Sequence, residues 1–141
     1  MTTEPETPQQ TDQNIILLRQ ANPLVVRNGK AQKGLFRIDT DPETGERAIS
    51  VEMASPDYSA QDAYERHDGG HPPTIGTIGI SMDEIIRLNL QARPDPLPDN
   101  PHHWLLALPE GASNNSVQNP LKTFAVSRGW LYARPGTPPL R

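Results

Sequence analysis

Four histidines are the residues of this chain best suited to chemistry, and they fall in two pairs, His67 with His71 and His102 with His103. Imidazole exchanges a proton near neutral pH, so each ring is a candidate acid or base, with Asp68 or Glu65 as the carboxylate that would orient it. Imidazole and carboxylate also bind metal. The three-ligand set the chain offers is His67 or His71, Asp68, and one of His102 and His103. Gly69 and Gly70 lie inside the first pair, however, so its two rings need not share a helical face as they would in a zincin helix. The expectation is no resident metal and no cofactor. Adjacent His102 and His103 point to opposite sides of an extended chain, and at most one of them faces a given site. His67 follows Tyr64 and Ala60 on the packed side of a helix end, where a protonated ring also suits the dipole.

Other chemistries are poorly supplied. The chain has no cysteine, which removes disulfides, thiolate metal sites and thiol nucleophiles. Ser50, Ser59 and Ser81 match neither a nucleophile elbow nor an SxxK pattern and read as one strand-face residue and two helix caps. The glycines of TIGTIG and Gly69-Gly70 make no phosphate loop. Glu52, Asp62, Glu65 and Asp68 are scattered, and exposed charge is the default for each, with a catalytic pair among them as the alternative. Arg27, Lys30, Lys33 and Arg37 form the one basic cluster. The whole chain has 13 Lys+Arg against 17 Asp+Glu, a net charge of -4, so a solvated face is expected there and nucleic-acid binding through the stripe is the lesser alternative. Trp104 and Trp130 are read as core residues of a thin interior, with anchoring of a partner protein as the alternative.

The elements that must position these groups are short. A chain of 141 residues with 16 prolines and only 34% hydrophobic residues fits one modest domain with long connections, here residues 14 to 134 between tails at 1–13 and 135–141 that are expected to be disordered. Nothing in it reads as a membrane span or a signal peptide. Ile15 to Leu18 and Leu24 to Val26 read as strands with a bend at Asn22-Pro23. Leu35 to Asp39 and Ala48 to Met53 read as a hairpin around DPETGE, with Ile49, Val51 and Met53 on the core face and Ser50 and Glu52 on the polar one. A helix should run from Ser59 or Pro56 to His67, stopped by Gly69-Gly70 and Pro72-Pro73. Thr74 to Ile80 is an apolar strand whose glycines suggest a closely approaching neighbour. Ser81 and Glu84 have capping-box spacing, Met82, Ile85 and Ile86 form the buried side of the helix they start, and Asn89 ends it. Residues 91 to 101, with four prolines, cross an edge of the sheet. Trp104 to Leu108 is a core strand, Asn119-Pro120 opens a last helix, and Gly129 closes it. The class is α+β: a small, mostly antiparallel sheet with two or three short helices.

The succession FRIDT, AISVEM, SAQDAYERH, GTIGISMDEIIRLNL, DNPHHWLLALP and FAVSRGW, over roughly residues 34 to 132, resembles a group of small bacterial proteins from mobile-element and defence gene neighbourhoods. That group has no assigned activity. The resemblance implies a bacterial cytoplasmic setting and an accessory role. With no catalytic signature in the residues, the first functional expectation is a non-enzymatic module that binds another protein through a sheet edge or a Trp-bearing surface. The second is a small toxin-like transferase or hydrolase using histidine and carboxylate side chains. The junction Asn100-Pro101-His102-His103-Trp104 is the first place to look for a site.

Overall fold

Leu17, Ile49, Ile78, Ile80 and Leu106 have no solvent exposure, and they are the inward residues of four neighbouring strands. The computed structural model describes residues 15–141; the segment 1–13 expected as a tail lies outside them. The strands are β1 (Ile16–Ala21), β2 (Val26–Arg27), β3 (Lys30–Ala31), β4 (Asp39–Thr40), β5 (Arg47–Met53), β6 (Gly76–Ser81), β7 (Gln91–Pro94), β8 (His103–Ala107) and β9 (Tyr132–Ala133). The helices are α1 (Ala60–His67), α2 (Met82–Arg87) and α3 (Asn114–Arg128). Seven strands form one sheet in the order β7-β8-β5-β1-β6-β9, with β4 beside β5, and every pairing is antiparallel. This is the α+β class expected from the sequence.

The local signals with a mechanism hold. Ser59 and Asp62 make a capping box at the start of α1, as do Ser81 and Glu84 at the start of α2. Asn89 takes φ of 59° after α2. The glycines of β6 admit close neighbours: a Cβ on Gly76 would meet the Trp130 ring at 2.7 Å, and one on Gly79 would meet Leu131 at 2.5 Å.

Four expectations are corrected. Leu35 and Phe36 lie in a 3-10 turn (Lys33–Phe36) and not in a strand; both are buried, and a strand would have sent these neighbours to opposite faces. Ile86 is 62% exposed, because a helix of six residues presents only Ile85 fully to the core. The last helix starts from Ser113, whose Oγ accepts from the Ser116 amide at 3.1 Å, so Pro120 is interior. Val117, Leu121 and Ala125 then form one buried stripe, and burying it outweighs a proline penalty of about 3 kcal/mol. Finally, residues 135–141 dock. The Arg141 amide donates to the Gly29 carbonyl, the Ala31 amide donates to the Arg141 carbonyl, and the Trp130 indole donates to the Pro138 carbonyl. The short β2–β3 hairpin leaves backbone groups unpaired, and this segment satisfies them.

The sheet is covered unequally. On one face the main core joins Leu17, Ile49, Ile78 and Leu106 to Leu35 and Phe36 of the turn and to Leu121 of α3. On the other, α1 lies over β6, β1 and β9, where Leu18, Tyr58 and Ala63 make a smaller cluster. The part of this second face formed by β5 and β8 is not beneath the helix. β1 and β5 also part company there: they pair only through Leu17–Met53 and Leu18–Glu52. Beyond Leu18 a gap opens in the sheet, and a cleft lies over it.

Candidate functional site

Glu52 is the centre of the cleft. It stands on β5 at the last register position shared with β1, opposite Leu18 on one side and His103 on the other. Strand alternation puts it on the face away from the main core, yet it is only 5% exposed, because the 55–58 turn, the end of α1 and the 97–100 turn close around it. Its Oε2 accepts from the Tyr58 hydroxyl at 3.0 Å and the Asn100 amide at 2.8 Å, and it lies 3.1 Å from His67 Nε2. Burial by itself would raise its pKa. The His67 contact and the hydrogen bonds from Asn100 and Tyr58 outweigh burial and hold the carboxyl below the usual range. The same burial, with the Glu52 charge beside it, pushes the Tyr58 hydroxyl well above its ordinary value, so it stays a donor.

A cleft of about 200 Å³ is lined by Arg19, Gln20, Glu52, His67, Asn100 and His103, among others. Two of these are imidazoles with one nitrogen already committed. His67 comes from the last turn of α1 and gives Nε2 to Glu52. His103 comes from the first position of β8, and its Nδ1 lies 3.0 Å from the Asp95 carbonyl and 3.1 Å from Asp95 Oδ2. A carbonyl oxygen only accepts, so His103 Nδ1 carries a proton and Nε2 is the basic nitrogen of the neutral ring. In the same way Glu52 fixes the proton of His67 on Nε2 and leaves Nδ1 as the exchangeable position.

The floor of the cleft is a cation. Arg19 Nε donates to the Leu35 carbonyl and Nη1 to the Ser50 carbonyl, both at 2.7 Å. The guanidinium thus bridges β1 and β5 where their backbone ladder has ended, and its ring-side neighbour is Phe36, 6.0 Å from centroid to Cζ. Burial, partly opposed by the Asp39 charge, lowers its pKa to about 10 and leaves it charged at neutral pH. No carboxylate among the described residues lies within salt-bridge distance of it.

Of the candidates drawn from the sequence, His67 and His103 line one cleft, together with Asn100 from the 100–104 junction. His102 turns the other way and stacks on Tyr58, with ring centroids 3.7 Å apart and planes at 9°. His71 is exposed. Glu65 is exposed on α1 and accepts from Gln61, and Asp68 caps α1 and lies 4.0 Å from Arg134. Neither carboxylate belongs to the cleft. Among the described residues no group of three His, Asp or Glu side chains is arranged to hold a metal ion. Trp104 and Trp130 are half-buried against the main core. Arg27 and Lys30 face each other across the β2–β3 hairpin, Lys33 begins the 3-10 turn, and Arg37 pairs with Asp39; all four basic residues are exposed.

Sequence reasoning passed over Arg19 and Tyr58, singled out Asn100 only as part of the 100–104 junction, and took exposed charge as the default for Glu52. One signal was present. In ILLRQA, Arg19 shares the inward parity of Leu17 and Ala21, and a charge at such a position needs a structural reason. Comparison with protein-family models, curated proteins and solved structures returns no significant match. No helix among the described residues is long and apolar enough to cross a membrane.

Proposed function

We propose that the protein is a small hydrolase or transferase whose cleft carries out acid/base chemistry with His67 and His103. The observation that carries this reading is that two imidazoles, each tied to a carboxylate-bearing residue by one nitrogen, line the same cleft. For ester hydrolysis, His103 Nε2 takes a proton from the attacking water as the new O–X bond forms. His67, in its protonated state, gives its Nδ1 proton to the leaving oxygen as the O–X bond of the ester breaks. Water restores both rings by proton exchange. Glu52 holds His67 Nε2 and leaves Nδ1 as the nitrogen that delivers the proton, and the Asp95 carbonyl suits His103 to the base's role by fixing its tautomer. Replacing water by an acceptor hydroxyl turns the same steps into transfer.

The interaction-module reading finds less support. An open edge favours strand addition, but β9 at one edge has two residues and β7 at the other ends in Pro94. The tryptophans that would anchor a partner are packed against the core. The test is turnover of chromogenic acyl, phosphomonoester and phosphodiester substrates by the full chain and by its His67→Ala, His103→Ala and His71→Ala variants. His67→Ala and His103→Ala should each lower turnover about 10²–10⁴-fold, with His71→Ala unchanged. Turnover that survives both cleft substitutions, or none on any ester class, contradicts the proposal.

A further inference from the structure

Arg19 serves the sheet, but the sheet does not use all of it. A guanidinium has five N–H donors, and Leu35 and Ser50 take two of them. Nη2 donates to no protein acceptor among the described residues, and the residue lines the cleft that His67 and His103 share. Among the described residues no carboxylate lies within salt-bridge distance of the charge, and Asp39, which acts on it at longer range, is paired with Arg37. Glu52, the one carboxylate lining the cleft, is occupied by Tyr58, Asn100 and His67, and its negative charge is matched whenever His67 is protonated. The positive charge left over is that of Arg19.

We infer that the cleft receives the phosphoryl group of a phosphate ester, seated on the free edge of the Arg19 guanidinium between His67 and His103. This rests on the acid/base reading of the two rings and adds its substrate class. Three features favour phosphate over an acyl group. A guanidinium matches the geometry and charge of phosphate oxygens. A transferred phosphoryl group spreads charge over oxygens that a fixed cation stabilises, so little covalent machinery is required. And among the described residues no serine or threonine hydroxyl, the usual acyl-transfer nucleophile, is hydrogen-bonded to either ring, although Ser50 lines the cleft. A volume of about 200 Å³ is roughly seven water volumes, enough for the phosphoryl group and the start of its ester arm, with the rest of the substrate outside.

The test uses the full chain and inorganic phosphate, titrated at constant ionic strength against acetate, with the histidine ring signals and the Arg19 Nε signal followed by NMR. Phosphate should shift the His67, His103 and Arg19 signals along one saturable curve and leave His71 unmoved. Acetate should bind at least about tenfold more weakly. Arg19→Lys should retain part of the phosphate affinity, and Arg19→Met should lose about ten- to a hundredfold. If Arg19→Met fails to fold, the wild-type Arg19 signal carries the test. Phosphate that leaves these signals still, acetate that equals phosphate, or a folded Arg19→Met protein with wild-type affinity overturns the inference. The two proposals fail separately. Turnover of uncharged esters that depends on His67 and His103 without a phosphate response removes this inference alone, and phosphate binding at Arg19 without turnover removes the catalytic reading alone.

Discussion

Replacing Glu52 by glutamine keeps the size of the side chain and removes its charge, and the consequence follows from the three donors around Oε2. Tyr58, Asn100 and His67 now bond a carboxylate; to a neutral amide oxygen each bond is weaker by about 1 kcal/mol. Relief from burying a charge returns part of that, which leaves a net loss of about 2 kcal/mol at neutral pH, or roughly 8 °C in Tm. The sign of the pH dependence is also fixed. The folded-state pKa of Glu52 is depressed, so its contribution is present above the unfolded carboxyl value and is lost as pH falls through the folded one. Thermal or urea unfolding of both proteins across the acid range measures this. The deficit of Glu52→Gln should be full near pH 7 and shrink toward zero as pH falls through the depressed folded-state value of Glu52, where the wild-type carboxyl takes up its proton. A variant as stable as wild type at pH 7, or a deficit that stays constant into acid, refutes the network as described.

Two further predictions concern the frame around the cleft. Arg128 makes a two-pronged pair with Glu84, Nη1 to Oε1 and Nη2 to Oε2 at 2.9 Å each, and Nη1 also donates to the Gly79 carbonyl. Arg128→Ala should destabilise by about 1–3 kcal/mol, with the loss seen as a lower urea midpoint at unchanged slope. Burial would raise the Glu84 pKa, but the Arg128 and Ser81 bonds lower it, so this contribution also fades toward acid pH. Gly76→Ala should cost about 1–3 kcal/mol by driving a methyl into the Trp130 ring and the Tyr132 carbonyl, and near-UV circular dichroism should report the displaced indole.

What the sequence made legible was local. Ser59 and Ser81 as caps and Asn89 as a left-handed terminator are each written within a few residues and form as read; the turn around Pro42 and Gly45 also forms, with its first strand cut to Asp39–Thr40. Pro120 misled because its local meaning, a helix start, was overruled by a buried stripe reaching back to Val117. Glu52 misled for the opposite reason. Its alternation was read correctly, but the residues that bury it, Tyr58 and Asn100, are brought there by turns whose placement no local pattern encodes. The pairing of His67 with His103 depends likewise on Glu52, which meets His67 at the end of α1 and stands opposite His103 in the β5–β8 register. The docking of 135–141 on the β2–β3 hairpin could not be read from a segment whose own residues show no strand pattern.

The central claim is that His67 and His103 act together on one substrate. The most direct measurement is a double-variant cycle on ester turnover with His67→Ala, His103→Ala and the pair combined. Groups that serve one transition state are not additive, so the combined variant should be about as slow as the slower single one. Losses that multiply, or a combined variant as fast as wild type, would contradict it.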